Sequence, residues 1–233
     1  MMKKTRSLLA CVLMLVASPL AAQERTVLVE LFTSQGCSAC PPADKLLHEL
    51  AARDDVVALA LHVDIWDYIG WKDSFARPEN TKRQRAYAQV AGRDMIYTPQ
   101  MIIDGADDVM GTHPEDVSAL IRQHKSTPRP VDLEITRQGD MLSISARAKR
   151  GVEGTCTVRL ARYRPRATVD ILRGENAGRT LTYANVVTEM TRVAEWDMRE
   201  PLTVEVALTG ELPAVVIVQR NSHGPVQAVA QAD

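Results

Sequence analysis

The segment that decides the fold spans residues 27–50 and reads VLVELFTSQGCSACPPADKLLHEL. It begins with an apolar run over residues 27–32, which is typical of a buried β-strand. Farther along, apolar side chains recur at the spacing of one face of an amphipathic helix, at Ala43, Leu46, Leu47, Leu50 and Ala51. Cys37 and Cys40 therefore lie where a strand ends and a helix begins.

This position favours thiol chemistry at Cys37 and Cys40. The first turn of a helix has unpaired N–H groups and the positive end of the helix dipole, and both stabilise a thiolate. We expect the start of the helix to expose Cys37 and to shield Cys40. A structural staple or half of a zinc site would be plainer interpretations. A zinc site needs about four ligands, and no second CxxC follows in the sequence. The position of the CxxC between a strand and a helix favours redox function over both of these interpretations.

Two stretches resemble parts of the thioredoxin fold. Residues 27–40 resemble its active-site strand and turn, and residues 97–105 resemble its cis-proline loop and the hairpin that follows. Four longer segments resemble a family of exported bacterial thioredoxin-like proteins of unknown function. They are VELFTSQGCSACPPAD at 29–44, HVDIWDYIGWKD at 62–73, YTPQMIIDG at 97–105 and GENAGRTLTYANVV at 174–187. The family match covers nearly the whole chain after residue 22.

The resemblance implies roles for five residues. Cys37 attacks as the nucleophilic thiolate and Cys40 resolves the mixed disulfide. Pro99 follows a cis peptide bond and contacts the disulfide, and Thr98 holds the partner chain with Tyr97 beside it. Cis bonds are nearly confined to X–Pro pairs; the alternative is an ordinary trans proline at the start of a strand.

Glu30 is a carboxylate inside the first apolar strand, between Val29 and Leu31. Thioredoxins carry a buried acid in this strand that relays protons to the second cysteine, and Glu30 matches it in residue type but lies one residue farther from the CxxC. The alternative is that Glu30 faces solvent on an edge strand, because a buried unpaired carboxylate is costly.

A cluster of aromatic side chains follows the next predicted strand, residues 56–62, which should run parallel to the first. The chain has ten aromatic residues, and four fall within ten positions: Trp66, Tyr68, Trp71 and Phe75. They form either a partner-binding groove beside the CxxC or the core of an inserted segment, since aromatic clusters are common in both.

Residues 1–22 are predicted to be a secretory signal peptide, with three basic residues, an apolar run and small residues before the cleavage site. Removing them leaves 28 − 3 = 25 basic and 29 acidic residues, a net charge of −4, which argues against nucleic acid as a partner. The sequence predicts a periplasmic or secreted protein with no stable membrane anchor after cleavage.

The fold class expected from these patterns is an α/β thioredoxin-like domain with a helical insertion, followed by an all-β sandwich. The first domain covers 23–126, a Pro-rich linker covers 127–130, and the β-sandwich covers 131–233, where the hydrophobic period becomes two. Within this last part, Cys156 alternates with apolar residues and is interpreted as a buried, inert thiol rather than a third redox partner.

The favoured function is thiol–disulfide exchange on a protein or small-thiol partner, without a cofactor or a resident metal. One rival is Cu(I) handling, in which the two thiolates and His62 or His113 bind the ion. Another is a non-catalytic binding module in which the CxxC is only a regulatory switch. The sequence fixes neither the redox direction nor the oligomeric state.

Overall fold

A computed structural model describes residues 25–232, so the predicted signal peptide lies outside the described residues. The helices are α1 (Pro41–Leu50), α2 (Pro78–Val90) and α3 (Pro114–Lys125), with a short 3-10 turn at Asp67–Ile69. The strands are β1 (Val27–Thr33), β2 (Val56–His62), β3 (Gln100–Ile103), β4 (Asp107–Met110), β5 (Val131–Gln138), β6 (Met141–Ala148), β7 (Cys156–Asp170), β8 (Thr180–Trp196), β9 (Leu202–Ala207), β10 (Ala214–Arg220) and β11 (Val226–Ala232). Across these residues, no helix is both long and apolar enough to cross a membrane.

One mixed sheet of eight strands runs through both halves of the chain in the order β11-β10-β7-β8-β2-β1-β3-β4. As predicted, β1 and β2 are parallel, and β3 runs antiparallel to β1. The long β7–β8 hairpin joins this group because β8 pairs in parallel with β2 at Ala60 and Val186. A smaller sheet, β5-β6-β9, packs its apolar face against β7 and β10.

The predicted fold class is therefore wrong: the C-terminal half is not a separate β-sandwich behind a thioredoxin-like domain. Four of its strands extend the sheet of the N-terminal half, and the other three form the small sheet. Alternating hydrophobicity reports that one face of a strand is buried, but not which strand lies beside it. The continuous apolar run of β10 was the stronger clue. Its side chains alternate between two cores, with Val216 and Val218 in one and Val215 and Ile217 in the other.

The segment at 127–130 is bonded to the large sheet. Arg129 donates to a carboxylate oxygen of Asp104 at 2.9 Å and to backbone carbonyls of Thr26 and Val226 at 2.6 and 2.7 Å. Asp104 also accepts the backbone N–H of Leu28 at 2.9 Å. These bonds fasten the chain between α3 and β5 to the ends of β1, β3 and β11.

Alternate side chains of β1 face opposite layers of the molecule. Val29 and Leu31 pack with α1 and α3, whereas Leu28 and Phe32 face α2 and β10. Glu30 shares the face of Leu28 and Phe32, because side chains alternate along a strand. This alternation places Glu30 on the opposite face of the sheet from the helix that carries the CxxC.

Glu30 is fully buried in an ion pair with Arg83 of α2, with two hydrogen bonds of 2.7 and 2.9 Å. The Tyr87 hydroxyl donates to the same carboxylate at 2.5 Å, and the side-chain amide oxygen of Gln219 on β10 accepts from Arg83 at 3.0 Å. The alternative of solvent exposure on an edge strand is wrong, since β1 is interior to the sheet. The contacts of Glu30 hold α2 and β10 together across β1.

We expect Arg83→Met to lower the free energy of unfolding by about 3–5 kcal/mol, because it leaves the Glu30 carboxylate buried without its charge partner. The double variant Glu30→Met/Arg83→Met should lose less than Arg83→Met alone. Urea denaturation of both proteins measures this. Lys45→Met, at the exposed Lys45–Glu49 pair, is the control and should change stability by no more than about 0.5 kcal/mol. A double variant less stable than Arg83→Met would contradict the assigned role of the pair.

Candidate active site

Cys37 and Cys40 form a disulfide in the turn between β1 and α1, with their Cα atoms 5.4 Å apart. Cys40 is the N-cap residue of α1, and prolines occupy the first helical positions, where a missing N–H costs little. The expected shielding of Cys40 is confirmed, since it is 0% exposed, but the expected exposure of Cys37 is wrong, since it is only 5% exposed. Ser38 and Ala39 between them are exposed.

Two tryptophans contact the residues immediately before Cys37. The Trp71 indole N–H donates to the side-chain oxygen of Gln35 at 2.8 Å. A Cβ at Gly36 would lie 3.2 Å from the Cβ of Trp66, so a side chain there would crowd that residue. The Trp66 indole N–H in turn donates to the Thr98 hydroxyl at 2.7 Å. The aromatic segment therefore lies beside the CxxC turn and links it to the proline loop.

The Thr98–Pro99 peptide bond is cis, as predicted. Gln100, the next residue, pairs with Phe32, so Pro99 lies at the edge of the sheet where β1 turns toward Cys37. Tyr97 is half-buried, and its hydroxyl donates to Asp108 at 3.0 Å. Burial, reinforced by the Asp108 charge, raises the pKa of Tyr97 to about 12.

Tyr68 differs from the other aromatic residues because it is 78% exposed. Its ring lies 6.3 Å from that of Trp66, measured between centroids. Phe75, by contrast, packs edge-on against His62 at 5.3 Å. The two alternatives for the aromatic cluster thus apply to different members: Phe75 belongs to the core, and Tyr68 and Trp66 lie at the surface beside the site.

A group of buried polar side chains lies under the turn, on the face of the sheet that α1 covers. The His62 Nδ1 is 2.7 Å from a carboxylate oxygen of Asp73, which also accepts the backbone N–H of Gln35 at 2.8 Å. The His62 ring packs edge-on against Tyr183 of β8 at 4.6 Å between centroids. Asp73 therefore connects the CxxC turn to the end of β2.

Asp44 is a second buried acid on this side of the sheet, beside Asp73, and sequence reasoning missed its burial. It lies one helical turn after Cys40, and its backbone N–H donates to the Cys40 carbonyl at 3.1 Å. Its side chain is 5% exposed, and within the described part of the chain neither carboxyl oxygen makes a hydrogen bond of good geometry. Burial raises the pKa of Asp44 to about 7, and the charge of His62 and the Thr33 hydroxyl lower it by less.

Asp44 and Tyr183 also line a cavity of about 260 Å³ between α1 and β8, whose other walls include Pro41 and Leu181. Burial raises the pKa of the Tyr183 hydroxyl, which has no hydrogen-bond partner among residues 25–232. Asp44 therefore lines a space between α1 and β8, although both of its carboxyl oxygens are buried.

The second contribution that sequence reasoning missed comes from the loop between β7 and β8. The Asn176 side-chain amide donates to the carbonyl oxygens of Gln35 and Cys37 at 2.9 and 3.0 Å. The available signal was the segment GENAGRT at 174–180, which is part of a motif of the resembling family and otherwise has only the pattern of a Gly-rich turn. Nothing in its composition places it at a cysteine pair almost 140 positions away.

The histidines considered for Cu(I) have other surroundings. His62 is fully buried against Asp73, and the His113 side chain is 60% exposed and 3.4 Å from Asp116. Across residues 25–232, no three His, Cys, Asp or Glu side chains converge in an arrangement that would hold a metal ion.

The prediction of a buried thiol at Cys156 is confirmed, and burial raises the pKa of that thiol to about 11.

A family model described as "Protein of unknown function (DUF1223)" matches residues 28–219. The chain belongs to the DUF1223 family. This confirms the resemblance to a family of unknown function that the sequence motifs indicated. No curated protein matches the chain.

Among solved structures, a protein from Agrobacterium tumefaciens is 32% identical to this DUF1223 chain, with a TM-score of 0.77 over 91% of this chain and 96% of that one. A hypothetical protein from Pyrococcus horikoshii matches 44% of this chain and 87% of its own at 9% identity and a TM-score of 0.23. A DUF3823 family protein from Bacteroides ovatus matches 44% and 51% at 17% identity and a TM-score of 0.21. The first of these shares the fold of the DUF1223 chain.

We expect Asp44→Asn to flatten the pH dependence of stability. The folded pKa of about 7 exceeds the unfolded value of about 4, so the wild type loses stability as pH rises between these values and levels off above them. The amide cannot ionise. The stability of the variant relative to wild type should therefore rise by roughly 2–4 kcal/mol between pH 4 and pH 8.

Urea denaturation of the oxidised proteins at several pH values measures this difference. Asp54→Asn, at an exposed carboxylate, is the control and should follow the wild-type pH profile. Parallel curves for wild type and Asp44→Asn would show that Asp44 does not titrate in this window.

Proposed function

We propose that this DUF1223 protein is an exported thiol–disulfide oxidoreductase that exchanges through Cys37 and Cys40 with a protein or small-thiol partner. The observation that carries the proposal is the disulfide between these residues at the N-terminal end of α1. A helix N-terminus stabilises the thiolate that exchange requires. The predicted signal peptide supports a periplasmic or secreted location, where disulfides persist.

In the reducing direction, the Cys37 thiolate attacks one sulfur of a partner disulfide, and the partner's other sulfur leaves as a thiolate. Cys40 then loses its proton and attacks the Cys37 sulfur of the mixed disulfide, which releases the partner's second thiolate. Two electrons pass from the Cys37–Cys40 pair to the partner, and the pair becomes a disulfide. The oxidising direction is the reverse of these steps.

The buried acids on the two faces of the sheet fit different roles in this scheme. Glu30 lies in a charge-paired network with Arg83 on the far face, which favours a structural role. Asp44 lies one helical turn from Cys40 without a strong hydrogen bond, and helical side chains lean toward the N-terminus of their helix. We therefore assign to Asp44, instead of Glu30, the acceptance of the Cys40 proton.

The partner surface that we propose is formed by the aromatic segment and the proline loop. Trp66 connects the two through its hydrogen bond to Thr98, and Tyr68 supplies exposed aromatic area beside it. Trp71 supports the turn through Gln35, and Tyr97 is the first residue of the proline loop. Aromatic side chains provide much contact area at a low cost in conformational entropy.

The trapping experiment tests the function. Cys40→Ser should accumulate mixed disulfides through Cys37 when mixed with a disulfide-bonded peptide or with oxidised glutathione, because the resolving thiol is absent. Cys37→Ser should accumulate few, and Cys156→Ser should behave as the wild type. Mass spectrometry after acid quenching identifies the adducts. Trapping by Cys37→Ser and not by Cys40→Ser would reverse the roles, and no trapping by either would refute the function.

Tyr68→Ala should lower the rate constant for exchange with a disulfide-bonded peptide by about tenfold, the loss expected for one interface aromatic residue. Its free energy of unfolding should be unchanged, since the side chain is mostly exposed. Stopped-flow fluorescence and urea denaturation give the two quantities. Val90→Ala is the control, because Val90 is also exposed. The helix α2 begins beside His62 and ends at Val90, so this side chain lies far from the site. Equal rates for both variants would place the partner surface elsewhere.

A further inference from the structure

The loop at residues 171–179, which connects β7 to β8, covers the CxxC turn. A Cβ at Gly174 would lie 3.0 Å from the Cβ of Trp71, so the loop backbone passes close to the aromatic segment. The backbone N–H of Ser38 points to a carboxylate oxygen of Glu175 at 3.4 Å. The loop thus contacts the backbone of Cys37, which is 5% exposed, and of Ser38, which is open to solvent.

Asn176 is the residue of this loop that binds the turn directly, and it is 1% exposed. Its amide nitrogen donates to the carbonyl oxygens of Gln35 and Cys37, at 2.9 and 3.0 Å, and thus uses both of its N–H groups. Its amide oxygen accepts from the Arg179 guanidinium at 2.9 Å. Because a guanidinium can only donate, this contact fixes which end of the amide faces the turn.

We infer that Asn176 is a positioning residue of the redox site, and that its two hydrogen bonds hold residues 35–37 in the backbone geometry in which Cys37 and Cys40 close their disulfide. The inference rests on the proposed function, since it concerns the same cysteine pair. It assigns to the C-terminal half of the chain the control of how readily that pair is oxidised.

The physical argument concerns the reduced form. Without the S–S bond, the separation of Cys37 and Cys40 depends on what else constrains the turn. A held turn keeps the two thiols at a high effective concentration, whereas a loosened turn gains conformations in which the sulfurs are too far apart to react. Loss of the Asn176 bonds therefore favours the dithiol over the disulfide. It also slows the attack of Cys40 on a mixed disulfide at Cys37, because that attack needs the same approach.

The rest of the hairpin is held by bonds that do not involve Asn176. β7 and β8 pair along most of their length, β8 pairs with β2, and the Asn185 amide donates to the Ala58 carbonyl at 2.9 Å. Asn176→Ala should therefore fold. Asn185→Gly is the matched control, since it removes one amide-to-carbonyl bond of the same hairpin away from the cysteines. Glycine also tolerates the positive φ of 49° at this position.

The test is an equilibrium titration of each full-length mature protein against mixtures of reduced and oxidised glutathione, with acid quenching and mass spectrometry of the thiol states. For Asn176→Ala we expect the equilibrium constant for forming the Cys37–Cys40 disulfide to fall about tenfold, equivalent to a potential about 30 mV less negative. Resolution of the glutathione adduct should slow by a similar factor. Arg179→Met keeps Asn176 but removes the hydrogen bond from the guanidinium to its amide oxygen. It should lower the equilibrium constant and the resolution rate in the same direction as Asn176→Ala, but by a smaller factor.

Asn185→Gly should leave both quantities at their wild-type values, because the pairing of Val186 with Ala60 and the pairing of β7 with β8 still hold the hairpin in place. The inference is overturned if Asn176→Ala and Asn185→Gly lose similar stability and both keep the wild-type equilibrium constant and resolution rate, because Asn176 would then only anchor the hairpin. A wild type whose disulfide does not exchange with glutathione at all would overturn the proposed function, and the inference with it. If the wild-type disulfide exchanges with glutathione but Asn176→Ala keeps the wild-type equilibrium constant and resolution rate, the inference is overturned and the proposed function stands.

Discussion

The pairing of β8 with β2 is the contact on which the rest of the structure depends. It is short, with Ala60 opposite Val186, and the Asn185 side chain adds a bond to Ala58. Through it the strands before residue 126 and the β7–β8 hairpin become one sheet. On the other face, the Glu30–Arg83 pair and Gln219 tie β1, α2 and β10 together. Such a buried ion pair is weak evidence for net stability, because the attraction between the charges is offset by the cost of desolvating both.

That sheet decides which side chains meet at the cysteines. At the ends of β1 and β2, Asp73 bonds both Gln35, in the turn before Cys37, and His62. Tyr183 of β8 packs against His62 from the other side of β2. The hairpin loop then covers the turn with Asn176. Asp44 lies beneath the turn, where burial raises its pKa to about 7. The proposed acceptance of the Cys40 proton requires a value in this range. The contacts of Tyr183 and Asn176 thus bring residues of the C-terminal half of the chain to the site.

Local features of the sequence predicted local structure well. The structure contains the predicted strand before the cysteines, the helix after them and the parallel strand β2. It also has the predicted cis bond before Pro99, and Trp66 lies beside the turn. The arrangement of the C-terminal strands was not predictable, because an alternating hydrophobic pattern shows that one face of a strand is buried but does not determine which strand pairs with it. The roles that we propose for Asp44 and Asn176 could not be predicted from local sequence either. Asp44 has the pattern of an ordinary first-turn acid, and Asn176 that of a turn residue.

The central claim is that the loop at 171–179 forms part of the redox site, and hydrogen–deuterium exchange on the oxidised and reduced protein tests it most directly. The loop contains backbone hydrogen bonds at Ala177, Gly178 and Arg179, which are the reporters. We expect their exchange to accelerate when the Cys37–Cys40 disulfide is reduced. The disulfide and the Asn176 hydrogen bonds favour the same turn geometry, so each stabilises the other and loss of the disulfide weakens the bonds of the loop. Exchange at β5 and β6 should stay the same. Identical exchange of the loop in both redox states would show that it does not sense the cysteine pair, and would contradict this account.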